Sequence, residues 1–110
     1  MFEKIKNDIL GKKYELSIAL VSEKKSREIN KKYRKKDKPT NILSFVLTKN
    51  SGEIILCPTL IKKEIKKFNR TFPKLMGFLV IHGMLHLKGY DHGAKMERLE
   101  KFYCNKFKLI

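Results

Sequence analysis

The sequence predicts an α+β fold: a small three- to four-stranded sheet packed with about five helices. Three observations carry that prediction. Segments rich in strand formers recur at residues 14–21, 41–48 and 53–57. Between and after them, apolar residues fall at helical spacing. Residues 73–87 are apolar almost all round, which marks a central, buried helix against which the rest can pack.

Each element has a local cause. Phe2, Ile5, Ile9 and Leu10 give residues 2–10 the stripe of a short amphipathic helix, and Gly11 ends it. Residues 14–21 alternate and then run apolar, as a strand does. Ser22 suits the N-cap of a helix over 23–33, whose sparse apolar positions include Ile29 and Tyr33. Residues 34–40 form a basic loop, in which Pro39 pushes Lys38 out of helical geometry. The strands 41–48 and 53–57 make a hairpin around a tight turn at Asn50, Ser51 and Gly52. Pro58 opens a helix with Leu60, Ile61, Ile65 and Phe68 inward and Lys62, Lys63, Lys66 and Lys67 outward. Pro73 opens the central helix and Gly89 closes it. A last helix over 94–108 buries Met96, Leu99, Tyr103 and Phe107.

The chain has 110 residues, a length that suits one domain spanning 1–110. No apolar run is long enough for a membrane span, and the charged N-terminal stretch does not read as a signal peptide. Cys57 and Cys104 are far apart and form no CxxC pair. A reducing, cytoplasmic compartment with both thiols buried and inert is the expectation. The charge is lopsided: 26 Lys and Arg against 11 Asp and Glu, a formal net charge of +15. Such a field attracts polyanions, of which nucleic acid is the commonest, although a spread of lysines is also a compositional habit.

All three histidines lie between positions 82 and 92. His82 and His86 are four apart, so a helix presents both imidazoles on one face. Gly89 lets the chain turn sharply, and His92 then swings back toward the same point. Three convergent imidazoles suit one Zn²⁺ and leave a fourth position open for water, the arrangement of a catalytic and not a structural zinc. The spacing His-x3-His-x2-Gly-x2-His is also that of metzincin peptidases, but those need Glu directly after the first histidine. Here that position is Gly83, which cannot move a proton, so peptide hydrolysis is disfavoured. What remains is a zinc site able to attack, or stabilise charge on, a phosphodiester.

Asp91 is the nearest carboxylate in sequence. It orients a ligand imidazole, assists proton transfer or faces solvent, and the spacing does not decide which. A phosphodiester hydrolase also needs a cation for developing negative charge. Arg34 can fork two phosphate oxygens, and Lys35, Lys36 and Lys38 can grip a backbone. By residue type alone, each is one more solvated cation.

The segment from His82 to His92 resembles the signature of the bacterial YbeY endoribonucleases. Residues 29–45, with Tyr33-Arg34-Lys35-Lys36-Asp37-Lys38-Pro39-Thr40 at their centre, are similar to the block before that family's hairpin. Residues 52–58 look like its next strand, with Glu53 where Asp is more usual. The resemblance covers roughly residues 14–108. It implies a single-strand-specific, metal-dependent endoribonuclease that matures ribosomal RNA, including the small-subunit 3′ end, and serves ribosome quality control. It implies zinc at His82, His86 and His92, RNA and the small ribosomal subunit or its assembly factors as partners, and a catalytic place for Arg34. The chain departs from the family in being short and in lacking an obvious first strand. Two other readings compete: a non-catalytic RNA- or ribosome-binding assembly factor with a structural zinc, and a zinc hydrolase of some other substrate, against which Gly83 argues.

Overall fold

A computed structural model describes residues 2–109; the termini of the expected 1–110 unit, Met1 and Ile110, lie outside the described residues. The α+β class is as expected. Helices α1 (Glu3–Ile9), α2 (Glu23–Arg34), α3 (Pro58–Lys63), α4 (Ile65–Phe68), α5 (Phe72–Leu87) and α6 (Ala94–Lys106) accompany strands β1 (Glu15–Leu20), β2 (Ile42–Thr48) and β3 (Ser51–Leu56). The sheet has three strands in the order β1-β3-β2. β1 runs parallel to β3 and β2 antiparallel to it. The middle strand is the most buried, with Ile54 and Leu56 wholly enclosed.

Helix α5 is the hub expected from its composition. Leu75, Leu79, Val80, Ile81, Met84 and Leu85 are all buried, and the helix touches β2, β3 and each of α1, α3, α4 and α6. Thr71 caps it, accepting from the Lys74 N–H at 3.4 Å, and Pro73 sits in the first turn where a missing N–H costs nothing. Gly83 is what lets α5 meet the sheet. A Cβ there would stand 2.9 Å from Ser44 Oγ, 3.0 Å from Ile54 Cδ1 and 3.1 Å from Ile42 Cδ1. Since side chains alternate along a strand, Ile55 and Phe45 face the other side. There α2 lies, with Ile29 and Tyr33 beside them.

Four expectations differ from the structure. The helix expected from Pro58 to Phe68 is broken at Glu64 (φ −96°, ψ 0°), whose carboxylate accepts from Asn41 Nδ2 at 3.0 Å. The hairpin turn is Lys49-Asn50, so Ser51 and Gly52 belong to β3. Gly52 marks a close approach instead of a turn: Tyr14 Oη and the Leu87 methyls occupy the space a side chain would need. The buried stripe of α6 holds Met96 as expected, but its other members are Glu100 and Cys104, while Leu99, Tyr103 and Phe107 are half-buried. Tyr33 is 60% exposed, and the buried residues of α2 are the polar Ser26 and Asn30.

Candidate metal centre

The last turns of α5 place His82 and His86 side by side, ring centroids 4.6 Å apart. The helix then closes with backbone bonds from Gly89 N to His86 O and Tyr90 N to Leu85 O, both 3.0 Å, while Gly89 takes φ +107°. This is a glycine-dependent C-terminal turn. It reverses the chain and brings the His92 ring to 5.1 Å from His82 and 4.8 Å from His86. Ligand atoms of the three imidazoles all lie within 4.8 Å of one another, a group that could hold a metal ion. His82 and His86 are half-buried and His92 is exposed, so the cluster opens to solvent on one side.

Tautomers follow from the partners. His86 Nδ1 lies 2.9 Å from the Tyr90 carbonyl, which only accepts, so Nδ1 carries the hydrogen. His82 Nδ1 lies 2.8 Å from Glu100 Oε2 and donates to that carboxylate. Each ring therefore turns Nε2 inward, and the two Nε2 atoms face each other at 3.1 Å. With both rings neutral, two lone pairs at that distance repel, and either a proton or a metal cation between them relieves the repulsion. Two nitrogens held about 2.0–2.1 Å from one tetrahedral Zn²⁺ would be about 3.3 Å apart, so the observed spacing fits. His86 is also held below its ordinary pKa, first by burial and then by the neighbouring His82, which favours the neutral imidazole that a metal needs.

Glu100 is the functional residue that sequence reading missed. It had a signal: it lies four residues after the buried Met96 and four before the buried Cys104, so a carboxylate sits on an apolar stripe. Asp91, by contrast, is exposed and makes no hydrogen bond among the described residues; its charge reaches His86 only through space.

The basic loop is a second feature, built by α2. Ser26 Oγ donates to the Thr40 carbonyl at 2.7 Å and lies 2.9 Å from the Thr40 N–H. Asn30 Nδ2 donates to the Lys38 carbonyl at 2.8 Å. Arg27 pairs with Asp37 at 2.7 Å on the surface and holds that carboxyl below the usual range. The loop is thus tied to α2 at Asp37, Lys38 and Thr40. Arg34, in the last turn of α2, is exposed and shares a shallow cleft with Lys36, Lys38, Asn41 and Glu64. Lys35 caps α2 in the left-handed region, φ 57°. No hydrogen bond or ion pair joins Arg34, Lys35, Lys36 or Lys38 to the imidazole cluster among the described residues.

Comparison with known proteins matches a family described as endoribonuclease YbeY over residues 1–108. The chain belongs to that family. It is 36% identical over 112 residues to the endoribonuclease YbeY of Staphylococcus carnosus, covering 91% of this chain and 70% of that one. With its Thermotoga petrophila counterpart it shares 43% identity over 97 residues, covering 86% and 65%. The Buchnera aphidicola relative is 41% identical over 108 residues, covering 89% and 68%. The chain thus spans about two thirds of the length of these curated YbeY relatives. The solution structure of a Thermotoga maritima protein superposes with a TM-score of 0.67 at 33% identity, covering 97% of this chain and 83% of that one. No helix among the described residues is long and apolar enough to cross a membrane.

Proposed function

We propose that this YbeY chain is a zinc-dependent, single-strand-specific endoribonuclease acting in ribosomal RNA processing, including small-subunit 3′-end maturation, and in ribosome quality control. The observation that carries the reading is the pair of facing Nε2 atoms of His82 and His86, 3.1 Å apart with both Nδ1 atoms engaged elsewhere, and His92 closing the third side. The relatives' name, endoribonuclease, supplies the reaction class.

His82, His86 and His92 hold the ion, which when bound supplies Lewis-acid chemistry at a phosphodiester. Glu100 and the Tyr90 carbonyl fix the imidazoles so that ligation needs no rearrangement. Arg34 carries an exposed guanidinium at the start of the basic loop and stabilises charge on the scissile phosphate. Lys35, Lys36 and Lys38 hold the flanking backbone, and Asp91, exposed beside His92, takes part in proton movement. Single-stranded ribosomal RNA is the substrate, in the context of the small subunit or its assembly factors. The compartment is the cytoplasm, where the two free thiols stay reduced.

The test is cleavage of a defined single-stranded ribosomal RNA fragment by wild type, His86→Ala and Arg34→Ala, purified identically. Cleavage by wild type alone, with both variants folded, supports the reading. Equal cleavage by all three marks a contaminant and removes it. Tight, salt-sensitive RNA binding with no turnover by any of them would move the assembly-factor reading ahead.

A further inference from the structure

Helix α5 presents more than two imidazoles on its open stripe. Phe78, His82 and His86 recur every four residues and are all half-buried, while the residues between them are mostly buried. The Phe78 ring centroid is 6.3 Å from that of His82, and the guanidinium of Arg70 lies over the Phe78 ring, 4.3 Å from its centre. A track therefore runs from the histidine cluster, across one aromatic ring, to one arginine.

Arg70 is unusual among the chain's cations. It is half-buried, yet its side chain makes no hydrogen bond or ion pair among the described residues. It lines a cleft of about 250 Å³ with Phe78, Glu97, Glu100, Lys101 and Cys104. Of the two carboxylates there, Glu100 already binds His82. The contact with the face of Phe78 anchors the guanidinium, and among the described residues no hydrogen bond or ion pair occupies its N–H groups. An arginine pre-oriented in this way loses little freedom when it binds an anion.

We propose that Arg70 is a phosphate-binding residue, placed by Phe78 to hold a backbone phosphate of single-stranded RNA next to the one at the histidine cluster. The inference rests on the ribonuclease reading and deepens it: the substrate lies along α5 and is held at Arg70 as well as at the histidine cluster.

The test is fluorescence anisotropy of a short, labelled, single-stranded 2′-O-methyl RNA with zinc-loaded full chain, across a salt series. Wild type is compared with Arg70→Ala and Arg70→Lys, and melting temperatures are recorded for each. Arg70→Ala should weaken binding about five- to tenfold and reduce the slope of log affinity against log salt by about 0.7, the loss of one phosphate contact on a single strand. Arg70→Lys should keep the slope and recover only part of the affinity, because it keeps the charge and loses the fork. Wild-type binding with an unchanged slope in Arg70→Ala overturns this inference and leaves the ribonuclease reading standing, even if affinity and melting temperature fall together, since that pattern marks a structural role. Absence of binding by wild type overturns both.

Discussion

His82 and Glu100 stand eighteen positions apart, and their side chains meet at 2.8 Å where α6 packs on α5. The contact sets the tautomer of one ring of the histidine cluster from a different helix. Packing of the C-terminal helix and organisation of the histidine cluster are therefore one event. Partners of this kind are typically worth 10- to 100-fold in metal affinity. Glu100→Ala should lower zinc affinity by about that range, and Glu100→Gln, which can still accept from Nδ1 without a charge, by less. Titration against a chromophoric chelator reads both. Equal affinity in all three proteins would mean that Glu100 is packing only.

The basic loop owes its shape to two buried polar side chains. Ser26 makes both backbone contacts to Thr40, and Asn30 holds the Lys38 carbonyl. Removing either leaves backbone groups short of a partner in a part-buried place. Ser26→Ala and Asn30→Ala should each destabilise the fold by about 1–3 kcal/mol. Trypsin should also cut sooner between Lys35 and Lys38 than in wild type, because Arg34 to Lys38 are already exposed. Unchanged cleavage kinetics at these lysines would show that the loop holds its form without α2.

Sequence reading reached the parts of this molecule that depend on local spacing. The histidine cluster follows from a four-residue separation and one turn-forming glycine, and α5 follows from a segment that is apolar almost all round. It missed what depends on distant contacts. Gly52 reads as a turn residue from its neighbours, and only the approach of Tyr14 and Leu87 makes it a strand glycine. The stripe of α6 is rotated because Glu100 has a partner on α5, which no periodicity within α6 can reveal. Ser26 and Asn30 read as the polar face of an amphipathic helix, and they are buried because the returning loop needs their hydrogen bonds.

Both cysteines are buried, and burial raises the Cys104 thiol above its ordinary value of 9.0. Neither should react with a thiol reagent in the native protein at neutral pH. The pH dependence has a definite sign. Between the unfolded and the folded thiol pKa the unfolded chain loses its proton first, so it binds fewer protons and stability falls as pH rises. Cys104 therefore contributes its full stabilisation below about pH 9 and loses it progressively above. Urea midpoints at pH 8 and pH 10 should fall further in wild type than in Cys104→Ala. Equal falls in the two proteins would assign the alkaline loss to other groups.

Gly83 joins the fold to the chemistry. It follows His82 directly, at the place where a zinc peptidase carries its glutamate, and its Cα points at Ser44, Ile42 and Ile54 of the sheet. A glutamate there has no room, and its carboxylate would be carried into the α5–sheet contact with nothing on either strand to pair with its charge. Overpacking alone costs about 1–3 kcal/mol, and an unpaired buried polar group costs a similar amount again. Gly83→Glu should therefore lower the urea midpoint by an equivalent of about 3 kcal/mol or more and yield no peptidase activity. Gly83→Ala adds only a methyl to the same contact, so its strain is offset in part by the better helix propensity of alanine. Its midpoint should lie between those of wild type and Gly83→Glu. A stable Gly83→Glu protein that hydrolyses peptides would show that the sheet contact yields and that the first histidine's neighbour faces the metal.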